Sequence, residues 1–235
     1  MYVKKPNSLK FKSRLIKLST RILIKQIDNI FNITLEEKIL RNILNTHQQN
    51  YKLIKDKIYF IHVPKTAGTS FYFELVKKYN NKIYKPCYPS NYNTHYPLKK
   101  KMNFDNIQTI TIIRNPIERV YSFYHDVLKN KKHVYFSVAK RGLENFCQKV
   151  WEVQNLYCRY YSGNLNSDFE TNIVLAKKNL KYFNKIILFE NLTKKLSIHK
   201  NKKIYPDITE LDKKIIKRFN KFDIEIYKFT KNLIN

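Results

Sequence analysis

The chain has 235 residues, 43% of them hydrophobic, and a formal net charge of +28. That length suits one α/β domain with an appendage, and the charge suits an anionic partner: nucleotide, acidic glycan, membrane surface or nucleic acid. Three cysteines (Cys87, Cys147, Cys158) with no C-x-x-C pair argue against a disulfide framework or a zinc site, and no run reaches the ~18–20 apolar residues of a membrane span.

Lysine far outnumbers arginine, and Asn, Ile and Tyr are plentiful while Gly and Ala are scarce. An AT-rich coding sequence produces the same bias, so the placement of the few arginines carries more information than the lysines do.

In chain order, residues 1–50 read as a basic helical extension and 51–235 as the main domain. Leu15, Ile16, Leu18, Ile22, Leu23, Ile27, Ile30 and Phe31 give the first helix an apolar side among lysines and arginines. Such a helix packs on a domain or lies on an anionic membrane. Thr34 and Glu37 form a capping-box pattern for a second helix. With no signal-peptide core, the expected location is cytoplasmic, peripheral to a membrane at most.

Residues 58–63, Ile-Tyr-Phe-Ile-His-Val, predict a buried strand. Pro64 ends it, Gly68 permits a tight loop, and a helix is expected over about 71–80. A second strand is expected over 82–88 and a loop over 89–103. Further strands are expected at 107–113 and 186–189, and helices at 117–129, 143–158 and 213–229, with a variable polar region at 129–141. Strands alternating with helices predict an α/β fold, three-layered and P-loop-like, with a central, mainly parallel sheet flanked by helices. Ligands in such sheets bind beyond the carboxyl ends of the strands, where Lys65, His95, Arg114 and Glu190 are expected to converge.

Two stretches carry the chemistry. The loop Pro64-Lys-Thr-Ala-Gly-Thr-Ser70 between a strand and a helix aims backbone N–H groups at one spot, a setting for phosphate or a similar oxyanion. It is not a Walker A sequence, because Lys65 precedes Gly68. The second stretch is Arg114-Asn-Pro-Ile-Glu-Arg-Val-Tyr-Ser122. A strand-end arginine offers a planar fork for phosphate, or a salt bridge. Pro116 suits a first helical turn, and Arg119 reads as a surface or capping charge. The 107–113 strand ends in Arg-Asn rather than the acid that would help hold Mg²⁺ in a P-loop NTPase.

The string Phe60 to Ser70 resembles the 5′-phosphosulfate loop of sulfotransferases, most closely the carbohydrate (heparan-type, sulfotransferase family 2-like) enzymes that use 3′-phosphoadenosine 5′-phosphosulfate (PAPS). Arg114 with Ser122 resembles their 3′-phosphate motif. The resemblance covers about residues 57–195. It implies that Lys65, Thr66, Ala67, Gly68, Thr69 and Ser70 cradle the 5′-phosphate and that Arg114 and Ser122 hold the 3′-phosphate. Asn155 and Arg159, four apart on one helix face, resemble a segment these enzymes place near the nucleotide, although Tyr157 stands where glutamine is frequent.

His95, in Asn93-Thr-His-Tyr-Pro97, matches the region that supplies a histidine base, an imidazole being able to take a hydroxyl proton near neutral pH. His62, His125, Glu74 and Glu190 are the rivals, His62 reading as buried and structural. The implied reaction is in-line transfer of a sulfuryl group from PAPS to a glycan hydroxyl, releasing 3′,5′-phosphoadenosine, with no metal required. The alternatives are a P-loop kinase or phosphotransferase and a basic nucleic-acid-binding protein, the latter disfavoured because no DNA or RNA motif is present.

Overall fold

A computed structural model describes residues 57–84, 87–88, 91–95, 97–98, 102–105, 107–165, 168–195 and 205–234. The expected N-terminal helices and the candidate membrane-binding face lie outside the described residues. Among those described, no helix is long and apolar enough to cross a membrane.

The centre is a four-stranded sheet. Its strands are β1 (Ile58–Ile61), β2 (Ile83–Tyr84), β5 (Gln108–Ile113) and β6 (Lys185–Leu188), in the order β2-β1-β5-β6. Every neighbouring pair is parallel, with Phe60 opposite Ile110 and Ile112 opposite Ile187. Strand residues alternate between the two faces. Ile58, Phe60, Ile110 and Ile112 pack with Phe71 and Leu75 of helix α1 (Gly68–Tyr79) and Leu192 of α7 (Phe189–Lys195). On the other face, Thr111 Oγ1 lies 2.8 Å from the hydroxyl of Tyr161, a fully buried residue of α5 (Leu156–Ser162). The fold is thus α/β, with a central parallel sheet between helical layers.

The expected strand over 82–88 divides. A 3₁₀ turn, Asn80–Lys82, precedes β2, while Cys87–Tyr88 is β3 of a separate sheet. The expected loop over 89–103 contains β4 (Asn91–His95), antiparallel to β3, with Cys87 opposite His95. A two-stranded hairpin therefore sits in the connection from β2 to β5, and His95 ends a strand rather than lying in a loop.

Helix α2 (Pro116–Lys129) starts with Pro116 in its first turn and the Asn115 side chain accepting from the Ile117 N–H. The polar region after it holds a short helix, α3 (Phe136–Ala139), and buries Tyr135, Val138 and Ala139. The helix expected over 143–158 is two, α4 (Leu143–Lys149) and α5, because Val150 turns extended and Asn155 is left-handed at φ 48°. Helix α6 (Phe169–Leu180) was not anticipated, though Asp168 caps the Thr171 N–H and Ile173, Ala176 and Leu180 mark its buried face. The terminal helix is also two: α8 (Glu210–Phe219), opened by a Thr209–Asp212 capping box, and α9 (Lys221–Ile234). Asn220 divides them. Its side chain donates to the Ile216 carbonyl and accepts from the Asn155 N–H, which fixes a sharp turn there.

Candidate active site

The loop from β1 to α1 is a shaped backbone cradle. Lys65 (φ 70°) and Ala67 (φ 61°) are both left-handed, although neither is glycine. Each such residue costs about 1–2 kcal/mol, and strain of this kind concentrates at functional sites. Thr66 is buried and its hydroxyl donates to the Val63 carbonyl at 2.9 Å, closing the loop on itself. Helix α1 begins at Gly68 with no side-chain cap and no acidic residue in its first turn. A helix start of this kind suits an anion, whose oxygens can accept from its first N–H groups. Thr69 and Ser70 lie in that first turn.

Gly68 is required by a close approach rather than by its dihedral. A Cβ there would meet the His62 ring at 1.9–2.5 Å. His62 is itself buried and stacked 5.5 Å from Phe60, so it packs under the loop as expected. Gly68→Ala is expected to cost about 1–3 kcal/mol, the usual range for overpacking. The displaced His62 should shift the loop and weaken anion binding together with stability, measurable by thermal denaturation and calorimetry on one preparation.

Arg114 stands at the end of β5 beside this loop. Its guanidinium donates to the Lys65 carbonyl at 3.4 Å, lies 4.4 Å over the Phe189 ring and pairs with Glu118 in the first turn of α2. The Tyr157 hydroxyl fixes its backbone, accepting from the Arg114 N–H at 3.0 Å and donating to the Arg114 carbonyl at 2.7 Å. Glu190 accepts from the Asn115 N–H at 3.2 Å and from the Tyr227 hydroxyl at 3.0 Å. The carboxyl ends of β1, β5 and β6 thus meet through Lys65, Arg114 and Glu190. His95 is not carried there by a strand of the parallel sheet; it belongs to the hairpin that follows β2.

The Lys65 ammonium pairs with the carboxylate of Asp126 on α2. Ser122 is one turn before Asp126, on the same row of the helix. That contact therefore turns the Ser122 side of α2 toward the loop, and Ser122 is buried there. Beside Asp126 sits His125, between Tyr121, Tyr124 and Tyr205 at ring separations of 4.4, 5.2 and 5.2 Å. Burial, helped by the nearby Lys129 charge, holds its imidazole below the ordinary histidine pKa. Glu74 is a solvated helix charge paired with Lys77 at 3.0 Å.

Arg119 is not a surface charge. It is fully buried, donates to the carbonyls of Glu152 and Val153, and pairs with the equally buried Asp223 at 3.6 Å. Asn155 and Arg159 are also buried. The Asn155 side-chain oxygen accepts from the N–H groups of Phe222 and Asp223 at the start of α9. The Arg159 guanidinium lies between Trp151 and Phe169, 5.5 and 5.0 Å from their rings. Trp151 and the tyrosines of α5 are core, and burial pushes the Cys147 thiol up to about 12. Asp126 and Tyr205 escaped the sequence reading. Asp126 was legible by its helical spacing from Ser122, whereas Tyr205 carries no local signal.

A parallel sheet whose first strand leads through a tight loop into an uncapped helix is the arrangement of α/β proteins that bind nucleotide-like anions. The family model described as a sulfotransferase domain matches residues 16–167, more than half of the chain. The chain belongs to the sulfotransferase family, enzymes that transfer a sulfuryl group. The match begins at residue 16, within the stretch read from sequence as an extension. No curated protein matches the chain.

Proposed function

We propose that the chain transfers the sulfuryl group of PAPS to a hydroxyl of a carbohydrate acceptor. The observation that carries this reading is the uncapped, glycine-constrained loop 65–70, with the Arg114 guanidinium against its Lys65 carbonyl. The N–H groups of residues 66–70, with the Thr69 and Ser70 hydroxyls, hold the 5′-phosphate. Arg114 and Ser122 hold the 3′-phosphate and so favour PAPS over ATP-like donors. Arg114 is half-buried and braced by Tyr157, Glu118 and Phe189, which lowers the entropy lost when it grips a phosphate.

Lys65 balances the charge that grows on the bridging oxygen as the S–O bond breaks. His95 takes the proton of the attacking hydroxyl. The resemblance sets Asn155 and Arg159 near the nucleotide; the contact from their helix α5 to the candidate site runs through Tyr157, which fixes Arg114. Positioning and electrostatics supply most of the rate, as in phosphoryl transfer. The reading invokes no metal. The surplus of lysine suits an anionic polysaccharide.

The test is calorimetry of 3′,5′-phosphoadenosine without metal, beside ATP, with Arg114→Ala as control. The expected result is binding tighter than ATP that weakens about 10–100-fold in Arg114→Ala, the size of lost charge-assisted hydrogen bonds. No binding, or an Mg²⁺-dependent preference for ATP, would move a kinase reading ahead.

A further inference from the structure

The candidate donor lysine has a built-in competitor for the donor. The Asp126 carboxylate divides its two oxygens: Oδ2 pairs with the Lys65 ammonium and Oδ1 accepts from the Tyr205 hydroxyl at 2.7 Å. Tyr205 is itself gripped, with the Lys129 ammonium 4.5 Å over its ring and the His125 ring beside it. The side chains of Lys65 and Asp126 are only 24% and 19% exposed, so solvent screens the pair less than a surface ion pair. Asp126 also shares a helix row with Ser122 and reaches Lys65 of the loop proposed to hold the phosphosulfate. A phosphosulfate on that loop would bring a second anion to the same ammonium, and like charges a few ångströms apart repel.

We propose that Asp126, held by Tyr205, is the resting counter-ion of Lys65, exchanged for the donor's phosphosulfate when the nucleotide binds. Asp126 is then a positioning residue that acts through Lys65. It keeps the ammonium at the loop when no donor is present, and it lowers donor affinity because the incoming anion must displace it. The proposal rests on the reading of Lys65 as a donor-binding residue. A purely structural ion pair makes a different statement: its loss would lower stability and leave nucleotide affinity unchanged.

The experiment is calorimetry of 3′,5′-phosphoadenosine, which retains the former bridging oxygen, on the full chain without metal. Wild type is compared with Asp126→Asn, Tyr205→Phe, Lys65→Ala and the Asp126→Asn/Lys65→Ala double variant. Asparagine keeps the shape and still accepts from Tyr205, so the fold should hold. Asp126→Asn is expected to bind about 5–10-fold tighter, the size of a partly buried ion pair. Tyr205→Phe should shift affinity in the same direction by less. In the Lys65→Ala background the gain should shrink to about twofold or less at ~0.15 M salt, where through-space repulsion alone remains.

Unchanged or weaker binding in both Asp126→Asn and Tyr205→Phe overturns the proposal while leaving the donor site standing. An equal gain with and without Lys65 overturns the claim that Asp126 acts through it. Absence of binding in the wild type overturns the donor reading and this proposal together.

Discussion

Asp223→Ala is expected to lower the unfolding free energy by about 3–5 kcal/mol, the usual loss when one partner of a buried ion pair is removed. Asp223 and Arg119 are both fully buried. The guanidinium also binds the carbonyls of Glu152 and Val153, and Asp223 accepts from the Cys158 N–H at 3.0 Å. One pair therefore joins α2, the turn after α4, α5 and α9. Burial raises the Asp223 pKa and the Arg119 charge opposes that rise, so the carboxylate depends on its partner. Alanine would leave a buried guanidinium without its counter-charge in a domain whose total stability is of order 5–15 kcal/mol. The melting temperature should fall by roughly 6–20 °C, read by calorimetry or circular dichroism. The double variant Arg119→Met/Asp223→Leu should recover much of that loss, because apolar residues of similar volume often replace buried pairs at little cost. A loss below about 1 kcal/mol in the single variant, the range of surface pairs, would show that water reaches the pair.

The frame of the candidate site was legible where local sequence dictates local structure. A β-branched and aromatic run, a proline and a glycine define β1 and its loop, and Asn115-Pro116 starts α2 as the turn chemistry requires. What was missed was set by contacts distant in sequence. Arg119 follows three residues after the helix start, where a charge reads as solvated, and only the tertiary approach of Asp223 buries it. Asn155 and Asn220 look like ordinary polar residues, yet they stand where two expected long helices divide into four, the Asn155 N–H donating to the Asn220 side chain. The Asn91–His95 strand has no apolar alternation to announce it, because its hairpin stands apart from the main sheet. Helix α6 is a different case: its Asp168 cap and the spacing of Ile173, Ala176 and Leu180 are local signals that the sequence carries.

Lys65→Ala is expected to cut turnover by about 10²–10³-fold, the loss found when one donor to a developing oxyanion is removed. Lys65 sits at the crest of the loop in a left-handed conformation, its carbonyl against Arg114 and its ammonium against Asp126. The Arg114 contact holds the Lys65 backbone, so the ammonium can exchange Asp126 for the donor without reorganising the loop. In the proposed reaction negative charge grows on the bridging oxygen as the S–O bond lengthens. An ammonium beside that oxygen therefore stabilises the transition state more than the bound donor. Turnover should fall much further than donor affinity, and Lys65→Arg should restore charge but not the compact single-point geometry. The measurement is release of 3′,5′-phosphoadenosine from PAPS with an oligosaccharide acceptor, or with water where no sugar reacts, beside a circular dichroism spectrum that confirms the fold. An increase in KM with kcat unchanged would make Lys65 a ground-state binder only. The charge on the leaving oxygen would then fall to the loop N–H groups and the α1 terminus alone.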